Sequence, residues 1–392
     1  MRHVLFFFAL SVTVGCTDIA RLPDVTNNSS SPVEVPPEAT VPVIVQPSAP
    51  IHELHGQRFR VETVASGLSG PWALAWLGDG RLIFTQRGGE LSIVEAGVVR
   101  RLHHFAEVQP PAGSDGGLMG LAVSPTFSRD GLIYVSYTGV VGNEPRNIIA
   151  RYRLSPDATP AVTPGIVLLS ALPAAETHNG LPLRFGPDGM LWAFTGDAGL
   201  PGPLPRSQLA GKLLRMNPDG TVPKDNPFPY SLVWSSGHRN CLAFDWYPDE
   251  KVLYAMEQRT DGPENPDNEV DRIYLINKGK EPWALKHDES VPPNHRWPSE
   301  SIAPAGAVFY RGDAFPAWRD RLFVATRNGP ALYCVTAFLG NPAFATLITD
   351  VSVVLHKELG PLRAVAVGPD GLLYLATANG ENDRILRLVP EE

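Results

Sequence analysis

From residue 58 onward the chain returns six times to one phrase: ALAWLGDGRLIFTQRGG, GLAVSPTFSRDGLIYVSYTG, LRFGPDGMLWAFTGDAG, LAFDWYPDEKVLYAMEQ, AVFYRGDAFPAWRDRLFVATRNG and AVAVGPDGLLYLATANG. In each copy a short apolar strand meets a tight turn, most often Asp-Gly, and a second alternating strand follows before a polar exit. Glycine accepts positive φ and aspartate bonds its own backbone, so these turns read as hairpins. They centre on Asp79, Asp130, Asp188, Asp249, Asp320 and Asp370. The period is roughly 50 to 70 residues, room for four strands and a variable loop. One such sheet exposes an apolar face that it cannot bury alone, so the copies must pack side by side and close around an axis. The predicted fold is all-β, a six-bladed β-propeller over residues 58–392. Strands such as LIYVSYTG and the recurrent prolines disfavour long helices. A two-sheet sandwich gives no reason for a repeat that runs through the last residues. In a propeller the loops of one face converge on the central channel, where binding or chemistry is expected.

The stretch before the repeat is of another kind. MRHVLFFFALSVTVGCTD has Arg2, an apolar run from Val4 to Val14, and Gly15 before Cys16, the pattern of an export signal. TVGC resembles the lipobox of bacterial lipoproteins, in which cysteine becomes the lipidated first residue; the alternative is a plain secretory signal with an incidental cysteine. On the lipobox reading residues 1–16 are a signal peptide. The mature chain then sits on the periplasmic side of a membrane or at the cell surface, held by its lipid anchor only, because no other segment approaches the ~20 apolar residues of a span. Residues 17–57, rich in Pro, Ser and Val, are expected to form an extended tether. Beyond Cys16 only Cys241 and Cys334 remain. They could pair in an oxidising compartment, but buried free thiols are the plainer expectation. A net charge of -8 without a Lys/Arg cluster argues against nucleic acid as a partner.

Several segments carry more than periodicity: GLSGPWALAWLGDGRL, GGLMGLAVSPTF, THNGLPLRFGPDG, GKLLRMNPDGTVPKDNPF, SSGHRN and SIAPAGAVFYRGDAFPAW. In this order, across residues 66 to 388, they resemble the soluble quinoprotein glucose/sorbosone and aldose-sugar dehydrogenases. The resemblance implies a six-bladed propeller that binds pyrroloquinoline quinone (PQQ) with calcium. It implies oxidation of the C1 hydroxyl of aldoses to lactones, with electrons passed to a quinone or cytochrome.

Oxidising an alcohol by hydride transfer needs a base for the hydroxyl proton beside an electrophilic acceptor. The resemblance makes His178 that base and Asp197 the carboxylate that orients its imidazole; a lone loop histidine would otherwise read as structural. Arg239 and Asn240 match contacts near the reactive quinone carbonyl, with Arg239 stabilising developing charge. Arg363 matches one arginine of a pair that grips a PQQ carboxylate, and Arg327 matches a further cationic contact. Asp115 occupies a cofactor-contact position where the family carries glutamine, and its charge is expected to repel a tricarboxylate. Pro182 and Pro361 stand where the family has arginines. The backbone carbonyls of Gly262 and Pro263 are the calcium candidates. Nearby Glu264, Asp267, Glu269 and Asp271 fit either calcium binding or a solvated turn.

The departures at Asp115, Pro182 and Pro361 support a different class of reading, a cofactor-free propeller that binds a glycan or protein partner. A calcium-dependent lactonase is a third, since this fold also hosts hydrolysis. No phosphate-binding loop, zinc-spaced His/Cys set or serine nucleophile elbow is evident.

Overall fold

The computed structural model describes residues 50–155, 160–201, 204–248, 252–258, 271–276, 295–297, 301–338 and 347–391. Among the described residues there are six antiparallel sheets, five of four strands and one of five. They form the six-bladed ring that the repeat predicts. The innermost strands are Pro71–Trp76, Leu118–Val123, Leu183–Phe185, Cys241–Trp246, Pro304–Phe309 and Leu362–Val367. Each repeat phrase supplies the innermost strand of a blade and the strand that follows it.

The turns between these strands work as their sequence suggests. Asp79, Asp130, Asp188 and Asp370 each accept the backbone N–H two residues on, from Arg81, Leu132, Met190 and Leu372, at 2.9–3.2 Å. The fifth blade has no glycine after its aspartate, and Asp320 itself adopts φ 62°. Asparagine and aspartate tolerate that left-handed region better than most side chains. Asp249 lies outside the described residues.

Between blades the sheets meet through apolar faces. Ile83 and Leu91 of the first blade pack with Leu118, Ile133 and Tyr137 of the second. Tyr254 and Met256 of the fourth pack with Phe309 and Leu322 of the fifth. Such burial is the main favourable term in folding, at roughly 25 cal/mol per Å². Cys241 and Cys334 are buried free thiols inside this packing, and burial pushes both thiol pKa values up, that of Cys334 to about 12.

The ring closes by joining distant segments. Strand Gln57–Leu68 pairs antiparallel with Asp383–Pro390, and Arg387 reaches Glu62 at 2.8–3.0 Å. The boundary of the expected tether needs correction here. His52–Leu54 is already a strand, paired with Gln57–Leu68 as the outer edge of the sixth sheet. Its attachment is specific: Trp318 Nε1 donates to the Leu54 carbonyl at 3.0 Å, and the His52 ring stacks on buried Phe59. The composition of residues 50–57 hides this, because the partners that order them come from the fifth and sixth blades. Residues 1–49, with the export signal, Cys16 and most of the tether, lie outside the described residues. Among the described residues no helix is long and apolar enough to cross a membrane.

Candidate active site

All six innermost strands line a cavity of about 710 Å³, whose walls include Trp72, Gly120, Pro182, Leu242, Gly306 and Arg363. A second cavity, of about 200 Å³, shares Trp72, Leu242 and Arg363 with it. Its other walls are Asp115, Thr177, His178, Gly180, Asn240, Gln258 and Arg327. Most of these residues lie at or just before the N-terminal ends of the innermost strands. Segments spread over 292 positions of sequence, from Trp72 to Arg363, thus converge on one end of the channel.

His178 enters this cavity from the loop before Leu183–Phe185. Its backbone is held at φ 60°, a conformation uncommon outside glycine that is tolerated where surrounding contacts enforce it. The contacts are present. The His178 N–H donates to Asp115 Oδ2 at 2.8 Å, and the His178 carbonyl accepts from Ala198 N–H at 3.3 Å. The ring Nδ1 lies 2.7 Å from Asp197 Oδ1, and Asp197 is fixed in turn by its own N–H donating to the Arg239 carbonyl at 2.7 Å. A carboxylate at Nδ1 holds the proton on that nitrogen, which leaves Nε2 of the neutral ring as a proton acceptor. The pairing of His178 with Asp197 expected from sequence is therefore present.

Gly196 sets the spacing between these two residues. A Cβ there would sit 1.7 Å from the His178 carbonyl oxygen, and backbone on both sides leaves no room to yield. The Gly196→Ala variant is expected to lose turnover by about 100-fold through displacement of His178 and to melt at a lower temperature. Turnover and a melting curve on one preparation check both.

The cationic side of the cavity is less settled electrostatically. Arg363 is buried, with its guanidinium 3.8 Å from the centre of the Trp72 ring, a cation–π arrangement. It makes no side-chain hydrogen bond among the described residues. Burial, then the like charges of Arg327 and Arg87, push its pKa down to about 9, while Asp115 and Asp383 oppose the shift. A buried cation without a hydrogen-bonding acceptor is costly, and a carboxylate placed beside it would relieve that cost. Arg327 also lines the cavity, and its exposed side chain makes no hydrogen bond among the described residues. Asn240 adds a buried Oδ1 with no hydrogen-bond partner among the described residues. Such atoms are rare and mark places where a ligand or solvent donor belongs.

Two expectations change on contact with the geometry. Arg239 does not line the cavity: its guanidinium donates to the Gln258 carbonyl at 3.3 Å and its N–H to Glu257. Asp271 is not a solvated turn residue. It is buried, and it accepts from Ser301 Oγ at 3.0 Å and from Ala303 N–H at 2.8 Å. Gly262 and Pro263 lie outside the described residues, as do Glu264, Asp267 and Glu269. Among the described residues no group of three or more His, Cys, Asp or Glu side chains could hold a metal ion.

Sequence reasoning passed over Trp72, Asn179, Gln258 and a buried pair behind the site. His238 Nδ1 makes a short contact with Glu257 Oε1, and its Nε2 lies 2.8 Å from Ser235 Oγ. The order Ser–His–acid suggests a nucleophile, but His238 and Glu257 are wholly enclosed and none of the three lines either cavity. They anchor the loop that carries Arg239 and Asn240. Trp72 had a usable signal, an aromatic at the mouth of the first innermost strand.

A family model, Glucose / Sorbosone dehydrogenase, matches residues 68–387. The chain belongs to this family. It is 30% identical to quinoprotein glucose dehydrogenase B of Acinetobacter calcoaceticus over 436 aligned positions, covering 83% of this chain and 87% of that one. Aldose sugar dehydrogenase YliI of Escherichia coli is 28% identical, with 84% and 92% covered. The PQQ-bound aldose sugar dehydrogenase of Streptomyces coelicolor superposes with a TM-score of 0.70 at 30% identity, covering 88% of this chain and all of that one. In this member of the glucose/sorbosone dehydrogenase family His178, Arg327 and Arg363 line one cavity.

Proposed function

We propose that this chain is a PQQ-dependent dehydrogenase that oxidises the C1 hydroxyl of aldose sugars to the lactone. The observation that carries the reading is the placement of buried, acceptor-seeking Arg363 in the cavity that His178 lines, with the His178 ring held at Nδ1 by Asp197. The residues present fit the cofactor. Arg363 and Arg327 offer cations to its carboxylates, Trp72 offers a flat apolar wall, and Asn240 Oδ1 is a polar atom awaiting a partner. Gly180 keeps the wall open, since a Cβ there would come 2.4 Å from Asn240 Oδ1. PQQ, when bound, supplies a two-electron acceptor for the hydride leaving C1 of the sugar.

The chain's own part is the proton and the orientation. His178 Nε2 takes the proton of the C1 hydroxyl as the C1–H pair departs and the C1–O bond becomes a carbonyl, so the ring becomes cationic. Asp197 stabilises that imidazolium, a contribution that grows as the charge develops. General base assistance of this kind is worth about 10²–10⁴ in rate. Calcium enters the reading through Gly262 and Pro263 alone, and no step is assigned to it. The apolar run from Val4 to Val14 and the TVGC stretch support an exported lipoprotein on the periplasmic side of a membrane or at the cell surface; the family likeness supports a quinone or cytochrome as the acceptor of the electrons.

The test is reconstitution of the purified full chain with PQQ, with and without calcium, followed by calorimetric titration and dye reduction over a panel of aldoses. Saturable cofactor binding and dye reduction that needs both sugar and PQQ are expected. Absence of both overturns the proposal. Retained sugar binding without PQQ binding would favour a propeller that has lost the cofactor.

A further inference from the structure

We infer that Asp115 is a positioning residue for the base: its carboxylate holds the backbone of His178 and leaves the bound cofactor to other groups. The inference rests on the proposed dehydrogenase reading. Asp115 Oδ2 accepts the His178 N–H at 2.8 Å, while Oδ1 accepts the Asn179 N–H at 3.2 Å and Asn179 Nδ2 at 2.5 Å. The Asp115 N–H donates to the Glu176 carbonyl at 2.9 Å, so the loop before the second innermost strand is strapped to the loop before the third. Two successive peptide N–H groups converging on one anion, with His178 at φ 60°, form the kind of concavity that binds anions. Here the chain fills that concavity with its own carboxylate.

Asn179 makes the strap rigid. It is wholly buried, and its side-chain amide exchanges hydrogen bonds with both the N–H and the carbonyl of Ala175 at 2.9 and 2.7 Å. The imidazole is therefore fixed at two points, through its backbone by Asp115 and at Nδ1 by Asp197. Charged acceptors make the stronger hydrogen bonds, so an aspartate here suits the role better than a neutral amide. The arrangement has a cost. Asp115 also lines the cavity, where its negative charge opposes a bound polycarboxylate. A residue selected for contact with such a group would not carry that charge; one that holds the base in place can.

The two roles separate in Asp115→Asn. The variant loses the charge and turns an amide NH₂ toward N–H donors that need an acceptor. It is expected to lower kcat on the order of 10- to 100-fold by misplacing the base, with PQQ affinity unchanged or tighter. Asp115→Glu keeps the charge but moves it by one methylene, and kcat is expected to fall as well. A third reading uses no cofactor: in histidine-labelled, ligand-free full-length protein the His178 resonance, assigned by its loss in His178→Asn, should shift or broaden in both Asp115 variants. The His238 resonance should stay in place.

An unmoved His178 resonance, an undiminished kcat, or a loss of PQQ affinity in step with kcat in a folded variant overturns the inference. If Asp115→Asn does not fold, as judged by its melting curve, Asp115→Glu carries the same comparison. Should the parent protein fail to bind PQQ, the proposed function falls, and the histidine spectra still decide the role of Asp115.

Discussion

His178→Asn is expected to lower kcat by about 10²–10⁴ while the fold and the binding of cofactor stay close to those of the parent. Asparagine suits this test because it tolerates the φ of 60° that the loop imposes. The variant therefore removes the proton acceptor without straining the backbone, and the Asp115 and Ala198 hydrogen bonds to residue 178 are retained. What is lost is the imidazole that the proposed mechanism assigns to the hydroxyl proton, together with the Nδ1 contact to Asp197 at 2.7 Å. Stopped-flow turnover beside a PQQ titration separates the outcomes. A fall in affinity equal to the fall in rate would place His178 among the binding residues and remove it as the base.

Arg363→Met is expected to move function and stability in opposite directions. The guanidinium is buried against Trp72 and makes no side-chain hydrogen bond among the described residues, so the cation–π contact and the more distant Asp115 and Asp383 charges offset its desolvation only in part. An apolar side chain of similar length removes that cost at the expense of the cation–π contact, so the ligand-free protein is expected to be more stable by about 1 kcal/mol. Cofactor binding should weaken by about 2–5 kcal/mol, the usual result of deleting one partner of a buried charged contact. A higher melting temperature of the ligand-free variant, with a calorimetric affinity at least thirtyfold lower, is the expected pair of results. A melting temperature that falls instead would show that Arg363 is structural.

How far the sequence could lead differs between fold and site for one physical reason, the range of the interactions involved. The blade turns are local, since an aspartate bonds an N–H two residues away, and the repeat was legible at every blade that uses Asp-Gly. His178 and Asp197 are 19 positions apart in adjoining parts of one phrase, and the pair was legible with the help of the family resemblance. Asp115 was placed at the site, but its attachment to His178 spans 63 positions and two blades. Nothing in SDGGLMG announces it. Arg239 shows the same limit at short range: its neighbour Asn240 faces the cavity, while its own side chain follows the Gln258 carbonyl.

The long string GKLLRMNPDGTVPKDNPF shows that specificity of sequence and closeness to chemistry are different properties. It carries none of the cavity residues. Lys212 is wholly buried and donates to the Ala210 carbonyl at 2.8 Å. Arg215 bonds Asp188 and makes two hydrogen bonds with Asp225 at 2.7 and 3.1 Å. The string is recognisable because it builds the third blade, and that blade in turn holds the loop of His178.

The pairing of Gln57–Leu68 with Asp383–Pro390 also has a consequence in time. Glu62 and Arg387 meet across 325 positions, so the sixth sheet cannot assemble until nearly the whole chain is available. Contacts of such long range slow folding, because the entropy of bringing the ends together is lost before any contact is gained. During synthesis the strand near the start must wait with its edge uncovered while five blades emerge behind it. Closure of the ring is therefore the last step that the connectivity permits.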